Sequence, residues 1–178
     1  MKAKCSLIVV LAGILLLITG CSLIRSGSGP SQTEEPKCVG PTFDLWGTRN
    51  VLGPAEPFNA EARRAALGTE STTLDAIAQV AGWQGGWDRI IDVPDNTTAE
   101  ELNRWAGAAG VCWEGLIVRD VWADESSEGV LLFMEGRKPV QVLWYAGSEK
   151  DFRIKRSSPV VNRYDILIPD RGKLEPAE

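Results

Sequence analysis

The apolar run that opens this 178-residue chain, residues 6–17, is too short to cross a bilayer, which asks for about 20 apolar residues. Lys2 and Lys4 precede it, and Thr19, Gly20 and Cys21 follow it in place of a basic stop-transfer cluster. A positive start, a short apolar middle and small residues at the end form the pattern of a secretory signal that is removed. The part expected to fold therefore lies beyond residue 20, in an oxidising compartment, and needs a core of its own.

Residues Ile18, Thr19, Gly20 and Cys21 resemble the lipobox of bacterial lipoproteins: an aliphatic residue, two small residues, then Cys. The resemblance implies that Cys21 receives a diacylglyceryl thioether and that the chain is cut before it, with palmitate-type acylation of the new amino terminus. It places the protein on the extracytoplasmic face of the cell membrane, held there by lipid. Residues 22–37 are rich in Ser, Gly, Pro and charge and read as a tether, which at this length spans about 20 Å. The division expected is a signal peptide over 1–20, lipidated Cys21 and tether over 21–37, one domain over 38–168 and a disordered tail over 169–178.

Cysteine accounting sharpens the picture. Cys5 leaves with the signal and Cys21 is the lipid site, so Cys38 and Cys112 remain as an even pair. A Cys38–Cys112 disulfide is expected, closing a loop long enough for about 4 kcal/mol of chain-entropy stabilisation.

Periodicity predicts an α+β fold. A helix is expected over 59–68, with Asn59 as N-cap, and a second follows Thr72 or Thr73, with Leu74, Ile77, Ala78 and Ala81 on one stripe and Gly82 as its stop. Residues 87–93 read as a strand with Trp87, Ile91 and Val93 on one face. Thr97 with Glu100 and Thr98 with Glu101 offer two overlapping capping boxes for a third helix. Strands are expected over 111–119, 130–134, 140–145 and 164–168, with a hairpin loop longer than two residues between the second and third of these. Residues 150–158 read as loop, with Phe152 and Ile154 hinting at an edge strand. Strands segregated from helices argue for an antiparallel sheet of four to six strands with two or three helices packed on one face.

The chemistry is bounded mostly by exclusion. The chain has no histidine, which removes Ser-His-Asp and Cys-His catalysis and the commonest zinc ligand. No glycine-rich phosphate loop is present, and no cofactor, metal or catalytic residue is assigned. After the signal is lost the chain carries 17 basic and 24 acidic side chains, a net of −7, which argues against nucleic acid. Asp88 and Asp92 lie about 13 Å apart on one strand face, too far for a glycosidase pair. The acidic loop of Asp120, Asp124, Glu125 and Glu128 lacks the spacing of an EF-hand.

Two features remain as interaction candidates. Trp46, Trp83 and Trp122 fall in loops, where aromatic rings either pack into the loop or core, as tryptophan more often does, or stack on sugars or anchor protein interfaces; Trp87, Trp105 and Trp144 fall on apolar faces and are assigned to the core. Residues 137–173 carry a net of +5 against −8 for residues 86–135, so the basic segment of Arg153, Lys155 and Arg156 either meets an anionic partner or pairs within the domain. Trp87-Asp88-Arg89, the stretch from Thr98 through Glu100, Glu101, Leu102 and Asn103, and Gly110-Val111-Cys112-Trp113 are similar to parts of small bacterial lipoproteins, and twelve Arg against seven Lys point to a GC-rich, actinobacterial-type genome. That resemblance brings no activity with it. The expectation is a non-enzymatic binding or adaptor module for another cell-envelope protein, as an immunity or superinfection-exclusion lipoprotein would be. The alternative is cell-wall glycan binding or a carboxylate-based enzyme acting on such a glycan. A glycan site would gather loop tryptophans and a carboxylate in one cleft; a protein site would be flatter and more apolar.

Overall fold

Both faces of the central strands are apolar, and the architecture follows from covering them. A computed structural model describes residues 38–47, 50–119 and 128–177. Its main sheet has four strands: β3 (Arg89–Pro94), β5 (Glu128–Glu135), β6 (Lys138–Ala146) and β7 (Val160–Asn162), in the order β6-β5-β3-β7, all antiparallel. Ile90, Leu131, Phe133 and Leu143 point to one side and Ile91, Val93, Leu132, Met134 and Val142 to the other.

On the first side lie α1 (Ala55–Ala66) and α2 (Leu74–Val80), which set Phe58, Ala62, Leu74 and Ile77 against the sheet. Two helices on one face of an antiparallel sheet is the α+β arrangement that periodicity predicts. On the second side α3 (Ala99–Ala106) buries Leu102 and Ala106, beside a short parallel pair of β1 (Thr42–Asp44) and β4 (Cys112–Glu114). The expected Cys38–Cys112 disulfide is present, with Cα atoms 5.7 Å apart, and ties the residue range before β1 to β4.

Local chemistry explains the helix ends. The Thr73 hydroxyl accepts a hydrogen bond from the Ala76 N–H, and of the two possible capping boxes the one formed is Thr98 with Glu101. The Thr97 hydroxyl instead donates to the Pro94 carbonyl at 2.7 Å. The first helix begins at Ala55, four residues before the predicted Asn59 start, because Pro57 stands in its first turn, where a missing N–H costs nothing.

Several strand expectations are corrected. Trp87 precedes β3, so alternation does not govern it; it packs edge-on to Phe133 at 5.2 Å, with Ile90, opposite to Ile91 and Val93. The β5–β6 hairpin turns in two residues, Gly136 and Arg137, and its irregularity is a bulge between Phe133 and Met134. Residues 111–119 contribute only the three residues of β4.

The largest correction concerns the C-terminal tail expected to be disordered. Residues 166–176 form an antiparallel hairpin, β8 (Ile166–Asp170) and β9 (Lys173–Pro176), which joins β2 (Thr72–Thr73) in a second sheet of order β2-β8-β9. Its turn places Arg171 and Gly172 at positive φ, the backbone a tight hairpin needs. Leu167 and Leu174 are fully buried against α1, and Phe152 bridges to Leu174 as the one piece of strand pairing in its loop. Polar composition hid a strand whose single inward side chain is Leu174. Replacing it by Ala should cost about 2–5 kcal/mol, read as a lower denaturant midpoint in urea unfolding; an unchanged midpoint would show that the hairpin is not part of the cooperative core.

Candidate functional site

The groove beside β6 gathers the densest chemistry among the described residues. It begins between α1 and the end of β6, as a cleft of about 530 Å³ whose walls include Glu56, Arg63, Tyr145, Lys150 and Asp151. A second cleft of about 450 Å³ adjoins it, lined by Trp46, Glu128, Trp144, Tyr145, Ala146 and Glu149. Trp144, Tyr145 and Glu149 belong to both.

Its floor is a buried polar cluster. Asp92 is 4% exposed; one carboxylate oxygen accepts from the Tyr145 hydroxyl at 2.7 Å and the other from the Lys150 ammonium. The Lys150 nitrogen also sits 4.7 Å from the centre of the Tyr145 ring. Gly129 makes this geometry possible. It pairs with Tyr145 across the ladder, and a Cβ there would lie 2.2 Å from the phenolic oxygen, blocking its reach to Asp92. Burial, then the Asp92 charge, hold the Tyr145 hydroxyl well above the usual phenol range. Both Asp92 oxygens are occupied by partners from the chain itself, so the cluster is a structural joint between β3, β6 and the segment after it.

The upper end of the groove is aromatic. Trp46 stacks on Trp144 with ring centres 3.9 Å apart and planes 27° from parallel. The Trp144 indole N–H donates to the Leu45 carbonyl at 3.0 Å, the Leu45 N–H donates to Glu114, and the Trp46 N–H donates to the Asp44 carboxylate at 2.8 Å. Gly115 closes against the pyrrole part of Trp46: its φ is +79°, and a Cβ would fall 1.9 Å from the Trp46 Cδ1. Trp46 is thus fixed from several directions and yet 57% exposed.

A different surface lies on the outer side of the second sheet. Ile166 and Ile168 alternate with buried Leu167 and stand 55% and 48% exposed, with Tyr164 in the turn before them at 70%. The Tyr164 ring is 5.7 Å from the Arg163 guanidinium, which is itself tied to Asp75.

The predicted site residues separate accordingly. Trp46 is the exposed loop aromatic anticipated for it. Trp83 takes the packing role that was the other expectation for it: it is 7% exposed, stacked on Phe58 at 4.5 Å, and its indole N–H donates to the Pro54 carbonyl. A loop tryptophan here plugs the core between α1 and α2. Trp122 lies outside the described residues, as do Cys21, Asp120, Asp124 and Glu125; Glu128 pairs with Arg119 at 3.0 Å. Arg153 is drawn to Asp170 and Glu175 of the β8–β9 hairpin, and Arg156 donates to the Asn96 carbonyl. Lys155 is exposed beside Arg153. Within the basic segment Arg153 therefore finds acidic partners in the domain, at the tail hairpin, and Lys150 finds Asp92 of the acidic half. Trp144, Tyr145 and Lys150 are groove residues that periodicity alone assigns to core or loop; the signal that marks them is an aromatic pair ending an edge strand next to a buried acid. No group of three or more acidic or cysteine side chains able to hold a metal occurs among the described residues.

Compared with known proteins, the chain matches no family model, no curated protein and no solved structure.

The buried joint makes stability depend on alkali. Tyr145 keeps its proton in the fold but ionises near pH 10 once unfolded, so stability holds below that pH and falls as pH rises above it. Between pH 9 and 11 the urea midpoint should fall less in Tyr145→Phe than in the parent. Parallel slopes for the two would show that Tyr145 ionisation is not coupled to folding.

Proposed function

We propose that this chain is a membrane-anchored extracytoplasmic lipoprotein that acts as a non-enzymatic binding or adaptor module for another cell-envelope protein. The reading begins from the lipobox-like residues Ile18, Thr19, Gly20 and Cys21 and from the missing histidine. The observation that carries the partner is the outer face of the second sheet. Tyr164, Ile166 and Ile168 are large apolar side chains, exposed together, on or beside strands whose hydrogen bonds are internally paired. Ile168 borders a cleft edged by Arg153, Lys155, Asp170 and Glu175, and apolar anchors rimmed by charge suit a protein contact, where aromatic and aliphatic side chains supply most of the energy.

The test is in-cell crosslinking with detergent extraction and mass spectrometry, comparing the parent, Cys21→Ser and the double variant Ile166→Asp, Ile168→Asp. A clickable fatty acid should label the parent and leave Cys21→Ser unlabelled. One envelope protein should be enriched with the parent and fall at least tenfold with the double variant, while thermal unfolding stays unchanged. Equal enrichment by both would overturn the assigned face, and equal fatty-acid labelling of Cys21→Ser would overturn the anchor.

A further inference from the structure

We propose that the Trp46–Trp144 end of the groove is a preformed subsite for a neutral pyranose ring of a glycan. This site is separate from the apolar face of the second sheet, and the inference does not depend on that face binding a protein.

The first argument is pre-organisation. An exposed indole normally moves, and ordering it on binding costs free energy. Here Trp144 supports one face of Trp46, Gly115 closes on its pyrrole part, and backbone hydrogen bonds hold the loop on either side. The disulfide next to β4 secures the strand pair from which the loop springs. The cost of ordering is therefore met in folding, and what remains open is rigid aromatic surface.

The second argument is the company this surface keeps. Glu149 lines the same cleft, as does Glu128, one of whose oxygens is held by Arg119 at 3.0 Å. Carboxylates accept hydrogen bonds from hydroxyl groups and repel acidic sugars, while the apolar C–H face of a pyranose lies flat on an indole. An indole platform edged by acceptors matches a ring that is apolar on its faces and rich in hydroxyl donors at its rim. The neighbouring cleft under α1 shares Trp144, Tyr145 and Glu149 with this one.

The experiment uses the full lipidated chain in a phosphocholine detergent, since sugar-headed detergents would compete. Intrinsic tryptophan fluorescence is followed during titration with β-1,4-linked tetramers of glucose and of N-acetylglucosamine, and with a tetragalacturonate as the acidic counterpart. A saturable change is expected with at least one neutral tetramer and none with the uronate. Trp46→Ala should weaken binding about tenfold or more, a loss of roughly 1.4 kcal/mol, and Trp46→Phe should restore part of it. Trp46→Phe should unfold close to the parent's temperature, and Trp46→Ala somewhat lower, since it loses the stack on Trp144, while keeping the parent's far-ultraviolet circular dichroism. The proposal is overturned if neither neutral tetramer gives a saturable change, if the uronate binds as well as they do, or if Trp46→Ala binds like the parent. The Ile166→Asp, Ile168→Asp variant should bind the tetramer as the parent does, which separates this site from the protein-binding face.

Discussion

The two-sided burial of β3 and β5 is the constraint on which the rest depends. Ile90 and Ile91, like Leu131 and Leu132, are neighbours in sequence that point into different cores, and all four are 4% exposed or less. A sheet apolar on both faces needs two covers. α1 and α2, backed by the hairpin β8–β9, provide one; α3 with β1 and β4 provides the other. Each cover then creates a surface of its own: the groove at the rim between α1 and β6, and the outward isoleucines behind the hairpin.

Polar groups are used within this frame chiefly as joints. Asp92, Tyr145 and Lys150 bind three separated segments at the edge of the first core, and Gln141, fully buried, accepts from the Leu52 N–H and donates to the Gly53 carbonyl. Removing one member of such a set strands the others without water or partner, which is why buried polar networks are destabilised more by deletion than they stabilise when intact. The groove thus carries charge and aromatic surface on a floor that is already satisfied.

Much of the fold was legible from residue patterns. The stripe of α2, the Thr98–Glu101 box, the apolar core of β5 and the Cys38–Cys112 bridge all follow from local rules, because in each the signal and its partner are set by spacing or by elimination. What escaped were elements whose reason for existing is a contact far along the chain. β9 is mostly polar and is held by Leu174; β1 exists because β4 pairs with it; Trp83 sits in a loop yet fills a gap made by Phe58. The site was legible in part. Trp46 stood out as a loop aromatic, but its support by Trp144 spans 98 positions and by Gly115 spans 69, and no periodicity within one segment reports such a meeting.

The disulfide also decides how this domain meets mechanical load. A pull from the N-terminal side enters at Cys38 and crosses the sulfur bridge directly to Cys112, so residues 39–111 lie off the force path. β1, both helices of the first cover, β3 and α3 cannot be unspooled from that end while the bridge stands. Tension passes instead to β4 and the chain beyond it, which includes β5 and β6 of the main sheet. Reduction of that bond would return residues 39–111 to the force path and lengthen the reach of the stretched chain by that segment.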